Sequence, residues 1–396
     1  MKILILSFYY EPDLSAGSFR TTALVRALLE ILPGDAQIEV ITTMPNRYSS
    51  FTATVPESEQ FDRLTIRRIS IPAHRSGMLD QSKAFLAFAF GALRLVRSQR
   101  YDLVYATSSR LMTAVLGSVI ARWRRSRLYV DIRDIFVDTI NDVLSRKVVF
   151  AVRPMMSGLE RFALTRAQKV NLVSEGFLDY FQHRYPQLSY SFHTNGVDPE
   201  FINAFAADEA AAMASAHEPI TVLYAGNMGE GQGLHAIIPN LAKKMDGRVR
   251  FRLIGDGGRR AELERAILAN GSRNVEVLNP VSRGRLVEEY RKADVLFLHL
   301  NDYDAFKKVL PSKIFEYAAT GKPIWAGVAG FAAQFLIREV ENAVVFKPCN
   351  VDDAERSFSR LNLQFVSRKD FVGRFSRESI SRDIAKDMLC MLGKND

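Results

Sequence analysis

The chain has 396 residues, 47% of them hydrophobic and 24% charged, and its formal net charge is +9. This composition excludes a disordered or fibrous protein and is ordinary for a globular one, and the length suggests two domains. Two cysteines outside any CxxC pattern argue against a disulfide framework and a structural zinc site. No apolar stretch reaches the roughly 18 residues that a membrane-spanning helix needs.

Strand-like apolar runs alternate with helical patterns along the first half of the chain. The first run follows a single lysine and is too short for a signal peptide, so we expect it to be a β-strand. Continuous runs of this kind, bounded by turn residues, are typical of buried parallel strands. The predicted strands of this half are 2–9, 38–44, 64–70, 102–108, 127–134 and 169–175.

The same alternation restarts at Ile220 after a turn-rich stretch. The predicted strands of the second half are 220–227, 249–257, 275–280, 295–300, 323–328 and 343–348. A βαβα order predicts an α/β protein with two doubly wound, Rossmann-like parallel sheets. We expect domains at 1–205 and 218–370, with a C-terminal helix at 371–392 that packs back on the first. Since ligands bind beyond the carboxyl ends of such strands, we expect the two domains to face each other across a cleft that holds the site.

Glycine-rich loops follow three of the predicted strands. Gly17 and Ser18 open a helix after the first strand, where free backbone amides suit a phosphate, although an ordinary strand–helix turn remains open. Four glycines crowd the stretch 223–238, which also contains Asn227 and Gln232, and we expect it to contact phosphate or donor. These glycines are Gly226, Gly229, Gly231 and Gly233. The third loop, with Gly257, fits either a nucleotide base or a tight turn.

The stretch 302–327 contains the most informative pattern. Pro311 and Ser312 open a helix, Lys313 lies in its first turn and Glu316 follows one turn later. Lysine at a helix N-terminus opposes the helix dipole, and such a local conflict is expected at a functional residue. Lys313 suits a diphosphate and Glu316 suits the two ribose hydroxyls. A simple surface pair of Lys313 with Glu316 is the alternative.

The end of the predicted strand 127–134 is rich in charged residues. We take Asp131, Arg133 and Asp134, together with Lys313, as the candidate catalytic group; Asp138 is a further candidate in the same run. The aspartates could orient acceptor or donor hydroxyls, or could only cap helices and form turns. His299 stands at a strand end, and we expect it to be a core histidine.

Two segments combine apolar and basic residues. The segment 83–100 fits an interfacial helix that places its apolar face in an anionic membrane surface, and 145–164 is similar. Residues 51–150 carry much of the excess positive charge, which favours an anionic partner. The alternative is that both segments are helices that pack against the sheet.

Several of these motifs together resemble the glycosyltransferase family 4 group, which has the two-domain GT-B fold. The resemblance covers nearly the whole chain and is carried by NGVD at 195–198, YAGNMGEGQGL at 224–234, LIGDGGRRAEL at 253–263 and above all LPSKIFEYAATGKPI at 310–324. The sequence is similar to the branch that builds bacterial surface polysaccharide and O-antigen, including N-acetylfucosaminyl transferases.

The resemblance implies a retaining transferase with a UDP-sugar donor, no obligatory metal or other cofactor, and a lipid-linked or saccharide acceptor. The sugar is expected to be an N-acetylated amino sugar or a deoxy sugar, and the location cytoplasmic, on the inner face of the membrane. By resemblance, Gly17 faces the donor phosphates and Glu316 binds the ribose. No side-chain nucleophile is required, because in a front-face mechanism the leaving phosphate takes the acceptor proton.

The chain departs from the family pattern at several positions. Asn227 and Gln232 replace an arginine and a lysine, and Lys308 replaces the first glutamate of the E-x7-E pattern. Arg133 and Asp134 stand where a His-Asp pair is common. Lys313, Lys307 or Lys308 are candidates to supply the missing charge beside the diphosphate.

Two other classes remain as alternatives. A nucleotide-sugar epimerase of the same fold would isomerise a free sugar nucleotide and show little membrane affinity. A non-catalytic basic protein binding membrane or nucleic acid would fit the charge, but no nucleic-acid-binding signature is present, so we expect no nucleic-acid partner.

Overall fold

The computed structural model describes residues 1–13, 15–45, 55–72, 78–108, 111–135, 137, 146–205 and 219–393. The chain divides into two compact units, the first formed by Met1–Asn195 with Arg377–Asp396 and the second by Gly196–Ser376. The candidate Asp138 lies outside the described residues. So does the stretch 206–218, which contains the predicted boundary between the domains.

The first unit contains a sheet of eight described strands, and all its neighbouring pairs are parallel except β3 with β4. Its strands are β1 (Lys2–Leu6), β2 (Gln37–Thr43), β3 (Ser58–Gln60), β4 (Leu64–Ile69), β5 (Leu103–Ser108), β6 (Arg127–Ile132), β7 (Lys169–Leu172) and β8 (Tyr190–Ser191). Their order across the sheet is β3-β4-β2-β1-β5-β6-β7-β8, so the direction of winding reverses between β1 and β5. The short strands β3 and β8 were not predicted, because neither contains a continuous apolar run.

Helices on both faces of this sheet connect its strands. They are α1 (Ala16–Ile31), α2 (Met78–Val96), α3 (Leu111–Arg124), α4 (Arg146–Leu164) and α5 (Leu178–Arg184). Strands such as β5 are buried along their whole length, as expected for a parallel sheet covered on both faces.

The second unit has a six-stranded parallel sheet in its described residues. Its strands are β9 (Ile220–Asn227), β10 (Val249–Asp256), β11 (Val275–Leu278), β12 (Val295–His299), β13 (Ile324–Gly327) and β14 (Ala343–Phe346). The order β11-β10-β9-β12-β13-β14 places the reversal of winding between β9 and β12. The core lies on both faces: Leu223 and Ala225 pack on one side, whereas Val222 and Tyr224 pack on the other.

The helices of the second unit precede, connect or follow these strands. They are α6 (Pro199–Phe205), α7 (Leu234–Lys244), α8 (Arg260–Asn270), α9 (Arg283–Lys292), α10 (Lys313–Ala319), α11 (Gly330–Glu339), α12 (Val351–Phe358) and α13 (Lys369–Arg374). Phe201 of α6 and Phe371 of α13 are buried in the core of this unit. The unit therefore begins before the predicted boundary, because these helices cover its apolar face.

The last helix, α14 (Arg377–Met391), returns to the first unit. It packs against α1, and Arg382 pairs with Glu30 at 3.1 Å. Asp387 of α14 accepts from Lys169 at 2.6 Å and from His193 at 2.9 Å. These ion pairs attach the C-terminal helix to the edge of the first sheet.

Candidate functional site

Two loops meet at the point in the second unit where the winding reverses. The loop after β9 carries Gly229 and Gln232, and the loop after β12 begins at Leu300. Asn301 joins them: its amide donates to the Gly231 carbonyl at 2.8 Å, and its side chain donates to the Glu230 carbonyl at 3.0 Å. In open parallel sheets the crevice at such a reversal is the usual ligand site.

Lys313 projects over the end of β9. A Cβ built on Gly226 would collide with Cε and Nζ of Lys313, so only glycine leaves room for this side chain. The φ of Gly226 is +144°, which also disfavours other residues. The ammonium lies 5.4 Å from the centre of the Tyr224 ring. Burial lowers the pKa of Lys313, while Glu316 opposes this shift. The structure places a partly buried ammonium group at the carboxyl edge of the sheet.

Glu316 lies one turn beyond Lys313 on α10 and is partly exposed. The Tyr290 hydroxyl donates to its Oε2 at 3.2 Å. Burial and the charge of Glu316 both raise the pKa of Tyr290, so this phenol stays protonated and remains a donor. Tyr290 therefore orients the glutamate, a contact that the sequence did not reveal because α9 and α10 are distant in the chain.

Asn227 and Gln232, which replace the family's arginine and lysine, bond to each other. The Asn227 amide donates to Gln232 Oε1 at 2.7 Å, and the Gly229 amide donates to the same oxygen at 3.3 Å. The pair closes the glycine-rich loop with neutral groups. Lys307, one candidate for the missing charge, is paired with Asp304 at 2.6 Å. Among the three predicted lysines, Lys313 is the one that the structure places against β9.

The remaining predicted residues of this unit surround the same edge. Pro311 and Ser312 are partly exposed and immediately precede α10, and Ser312 makes no side-chain capping bond. Gly257 follows β10, and its amide donates to Asp256 Oδ1 at 2.8 Å.

His299 joins the glycine-rich loop to a more distant segment. Its Nδ1 lies 2.7 Å from the Gln232 carbonyl, and the Cys349 amide donates to its Nε2 at 3.0 Å. A ring that donates through one nitrogen and accepts through the other is the neutral tautomer. Burial lowers the pKa of His299 to about 4, although the Gln232 carbonyl opposes this shift. The expected core histidine is indeed buried, and it holds the glycine-rich loop in place.

In the first unit, Arg133 lies over the start of α1. A Cβ on Gly17 would be 2.7 Å from Arg133 Nη1, so the glycine makes room for the guanidinium. Ser18 is fully buried, and its amide donates to Ser15 Oγ at 3.1 Å. The structure therefore brings Gly17 and Arg133 together, whereas the side chain of Ser18 faces the interior.

Asp131 is completely buried and has several partners. Arg20 donates to both of its oxygens at 2.9 Å, Tyr105 donates to Oδ2 at 2.9 Å, and Asn171 donates to Oδ1 at 2.7 Å. Burial alone would raise the pKa of Asp131, but the charge and hydrogen bonds of Arg20 lower it below its usual value. Both carboxylate oxygens of Asp131 are already hydrogen-bonded within the protein. This arrangement indicates that Asp131 holds the end of the strand in place, rather than contacting substrate directly. Sequence reasoning missed Arg20, because no local pattern connects an arginine of α1 with an aspartate at the end of β6.

Asp134 is exposed and lies just beyond Arg133. Protein atoms around its carboxylate still desolvate it and raise its pKa to about 6, while Arg133 opposes this shift. Burial and the neighbouring charge of Arg20 lower the pKa of Arg133, which Asp131 and Asp134 oppose. Arg133 is partly exposed and Asp134 is exposed, so both differ from the fully buried Asp131.

The helix α2 shows which part of the predicted interfacial segment is accessible. Phe85 and Phe88 are buried and contact Phe8, with ring centroids 6.4 and 5.3 Å away. Leu86 and Phe90 are 53% and 70% exposed. The apolar stretch is thus divided between packing on the sheet and an exposed face. In the described residues, no helix is long and apolar enough to cross a bilayer, and no group of three or more His, Cys, Asp or Glu could hold a metal ion.

Comparison with known proteins relates both units to one class. The family described as "Glycosyl transferase 4-like domain" matches residues 20–187, and "Glycosyl transferases group 1" matches 207–372. A putative colanic acid biosynthesis glycosyl transferase, WcaI of Escherichia coli K12, is 33% identical over 100 residues. That match covers 25% of this chain and only 24% of the relative.

Solved structures share the fold over nearly the full length. Sucrose-phosphate synthase from Thermosynechococcus elongatus superimposes with a TM-score of 0.74 and 14% identity, covering 99% of each chain. HepE of Anabaena, solved in complex with UDP, has a TM-score of 0.65 and 16% identity, covering 98% of this chain and 100% of its own. The chain belongs to the family 4 glycosyltransferases, and its two parallel-sheet units are those of the GT-B fold.

Proposed function

We propose that the protein moves a sugar from a UDP-sugar to a lipid-linked or saccharide acceptor in cell-surface polysaccharide synthesis, with retention of configuration. The arrangement of Lys313 over Gly226 carries this proposal. A diphosphate needs positive charge, and Lys313 supplies it where the glycine-rich loop follows β9. The similarity to a relative named for colanic acid biosynthesis supports the polysaccharide context, and the HepE complex supports UDP as the nucleotide.

Lys313 and Glu316 have separate tasks in this proposal. Lys313 neutralises the charge that develops on the diphosphate as the bond between it and the sugar breaks. Burial lowers the pKa of Lys313, because water solvates its charged form poorly there. A diphosphate that binds beside the ammonium group would stabilise this charge. Glu316, oriented by Tyr290, accepts hydrogen bonds from the two ribose hydroxyls. We propose an N-acetylated amino sugar or deoxy sugar as the transferred group.

In the transfer step, the bond from the sugar C1 to the phosphate oxygen breaks and a bond to the acceptor oxygen forms on the same face. The acceptor proton passes to the leaving phosphate, so no side-chain nucleophile is required. For the first unit we propose that Arg133, which is partly exposed, and Asp134, which is exposed, orient donor or acceptor hydroxyls. Asp131 acts through Arg20 and the strand end as a positioning residue. We propose that neither a metal ion nor another cofactor is obligatory.

The acceptor side is proposed to work at an anionic membrane surface, with the protein peripheral on its cytoplasmic face. The exposed face of α2 carries Leu86 and Phe90, with Lys83 and Arg94 also exposed. Apolar side chains that enter the interface beside cations at the headgroups are typical of such helices. Phe90→Ser with Leu86→Ser is expected to reduce binding to anionic vesicles. Unchanged vesicle binding would remove α2 from this role.

A donor panel tests the proposed reaction. UDP, GDP and ADP are titrated by calorimetry, and each UDP-sugar is then incubated with and without a lipid-linked acceptor and with EDTA. We expect UDP to bind selectively and transfer to continue in EDTA. An isomerised sugar nucleotide without acceptor would indicate an epimerase instead. Absence of nucleotide binding would contradict both enzyme classes and direct attention to the basic surface of the first unit.

A further inference from the structure

An open cavity of about 470 Å³ lies in the first unit, beside α4 and the end of α5. Its lining contains three arginines with hydroxyl groups between them: Arg153, Arg161 and Arg184, with Ser157, Thr165 and Tyr185. Positions 153, 157 and 161 share one face of α4, because they are spaced at intervals of four residues, and Thr165 directly follows the helix.

The cavity is cationic. In the described part of the chain, Arg153 and Arg161 form no ion pair, and both residues are exposed. The nearby carboxylate, Glu160, is buried and already accepts from the Tyr185 hydroxyl at 3.0 Å and the Tyr180 hydroxyl at 3.2 Å. Glu160 therefore offsets at most one of the three positive charges around the cavity.

Arg184 is held in place at the cavity edge. Its guanidinium stacks on Tyr180, with Cζ 3.9 Å from the ring centre, and donates to the Tyr180 hydroxyl at 2.5 Å. Its distance to Glu160 Oε1 is 3.8 Å, at the outer limit of an ion pair. An arginine that is already oriented loses less conformational entropy when it binds an anion.

The cavity is separate from the site described above. In a parallel sheet the helix after each strand runs back toward the amino ends of the strands. The last turn of α4 lies just before β7, and Arg184 ends α5 just before β8. Arg133 and Gly17, in contrast, lie at the carboxyl ends of β6 and β1.

We infer that this cavity is a binding subsite for a phosphate group, distinct from the donor site. Guanidinium groups bind phosphate oxygens with paired hydrogen bonds, and three of them with intervening hydroxyls suit a dianion. A second feature concerns the source of the phosphate: Phe150, on the same face of α4 one turn before Arg153, is 86% exposed. An exposed aromatic side chain beside the cavity could enter a lipid surface, so the phosphate could belong to a lipid headgroup. The arginines alone would equally bind a soluble phosphate.

The test uses the full chain and the double variant Arg153→Gln/Arg161→Gln, which changes exposed residues and leaves the Arg184–Tyr180 contact intact. The matched control is Arg265→Gln/Arg356→Gln, which removes two exposed arginines of the second unit. Calorimetry with pyrophosphate at low ionic strength is performed on these proteins and on Lys313→Ala. Flotation with phosphatidylcholine vesicles, with and without phosphatidic acid, is performed in parallel.

The subsite predicts that the cavity variant binds at least one of the two probes about tenfold more weakly than both the control and Lys313→Ala do. A loss confined to pyrophosphate identifies a soluble phosphate ligand, and a loss confined to phosphatidic acid vesicles identifies a lipid phosphate. Equal binding of both probes by the cavity variant and the control would overturn the inference. Loss of pyrophosphate binding in Lys313→Ala alone would also overturn it for the soluble ligand, because that probe would then report the donor site.

Discussion

The Lys313 side chain occupies the space beside Gly226 that a Cβ at that position would fill. The two residues are distant in sequence, but β9 and α10 bring them to the same edge of the second sheet. The glycine is therefore a steric partner of the lysine as well as a loop residue. This relationship makes the position of the ammonium testable without altering Lys313.

We expect Gly226→Ala to displace Lys313 and to weaken UDP binding by about tenfold or more, while uridine binding changes less. The physical reason is that the added methyl group collides with Cε and Nζ, and the left-handed φ of +144° adds strain. Calorimetry with UDP and uridine measures both effects. Gly284→Ala is the control, because a Cβ there meets nothing within 4 Å. Equal losses for UDP and uridine would show that the loop, rather than the lysine, was disturbed.

The ribose role of Glu316 predicts a specific pattern across two ligands. The wild-type protein should bind UDP more tightly than 2′-deoxy-UDP, since a hydrogen bond to a charged group contributes about 1.5–3 kcal/mol. Glu316→Ala should weaken UDP and bind both ligands equally. Tyr290→Phe, which removes the orienting donor at 3.2 Å, should give an intermediate loss. If Glu316→Ala still discriminates against the deoxy ligand, the carboxylate does not contact the 2′-hydroxyl.

All twelve predicted strands are present, because continuous apolar runs bounded by turn residues identify buried parallel strands. The structure shows contacts that no local pattern encodes. Tyr290 and Glu316 meet only through the packing of α9 and α10, and Arg20 meets Asp131 only through the fold of the first sheet. The sequence also left open whether the apolar residues of the segment 83–100 face a membrane or the sheet. Phe85 is in fact buried, because the helix turns that face toward Phe8.

Asp131 is predicted to act on stability more than on the chemical step. Asp131→Asn leaves the buried Arg20 without its counter-charge, and loss of one partner of a buried ion pair costs about 3–5 kcal/mol. Denaturant unfolding should show this loss. Arg382→Met, which breaks the exposed pair with Glu30, should cost less than about 1 kcal/mol. An Asp131→Asn protein of unchanged stability but no transferase activity would instead assign this carboxylate to catalysis.

His299 predicts an acid-dependent loss of stability in the second unit. Its pKa is about 4 in the folded chain and about 6.5 when unfolded, so the unfolded state binds the extra proton as the pH falls between these values. The contribution of the neutral ring to the free energy of unfolding is complete above pH 6.5 and is lost as the pH falls through 4. This contribution is at most about 3 kcal/mol. Protonation also removes the acceptor for the Cys349 amide and thereby loosens the loop that ends at Gln232.

Urea unfolding of wild type, His299→Asn and His183→Asn at pH 7 and pH 4.5 measures this effect. We expect wild type and the exposed control His183→Asn to lose the same free energy of unfolding on acidification. His299→Asn should be less stable at pH 7 but lose less between the two pH values, because it has no imidazole to protonate. UDP affinity should follow the same pattern, since the ring holds the glycine-rich loop through the Gln232 carbonyl. An equal acid loss in His299→Asn would show that other groups control the transition.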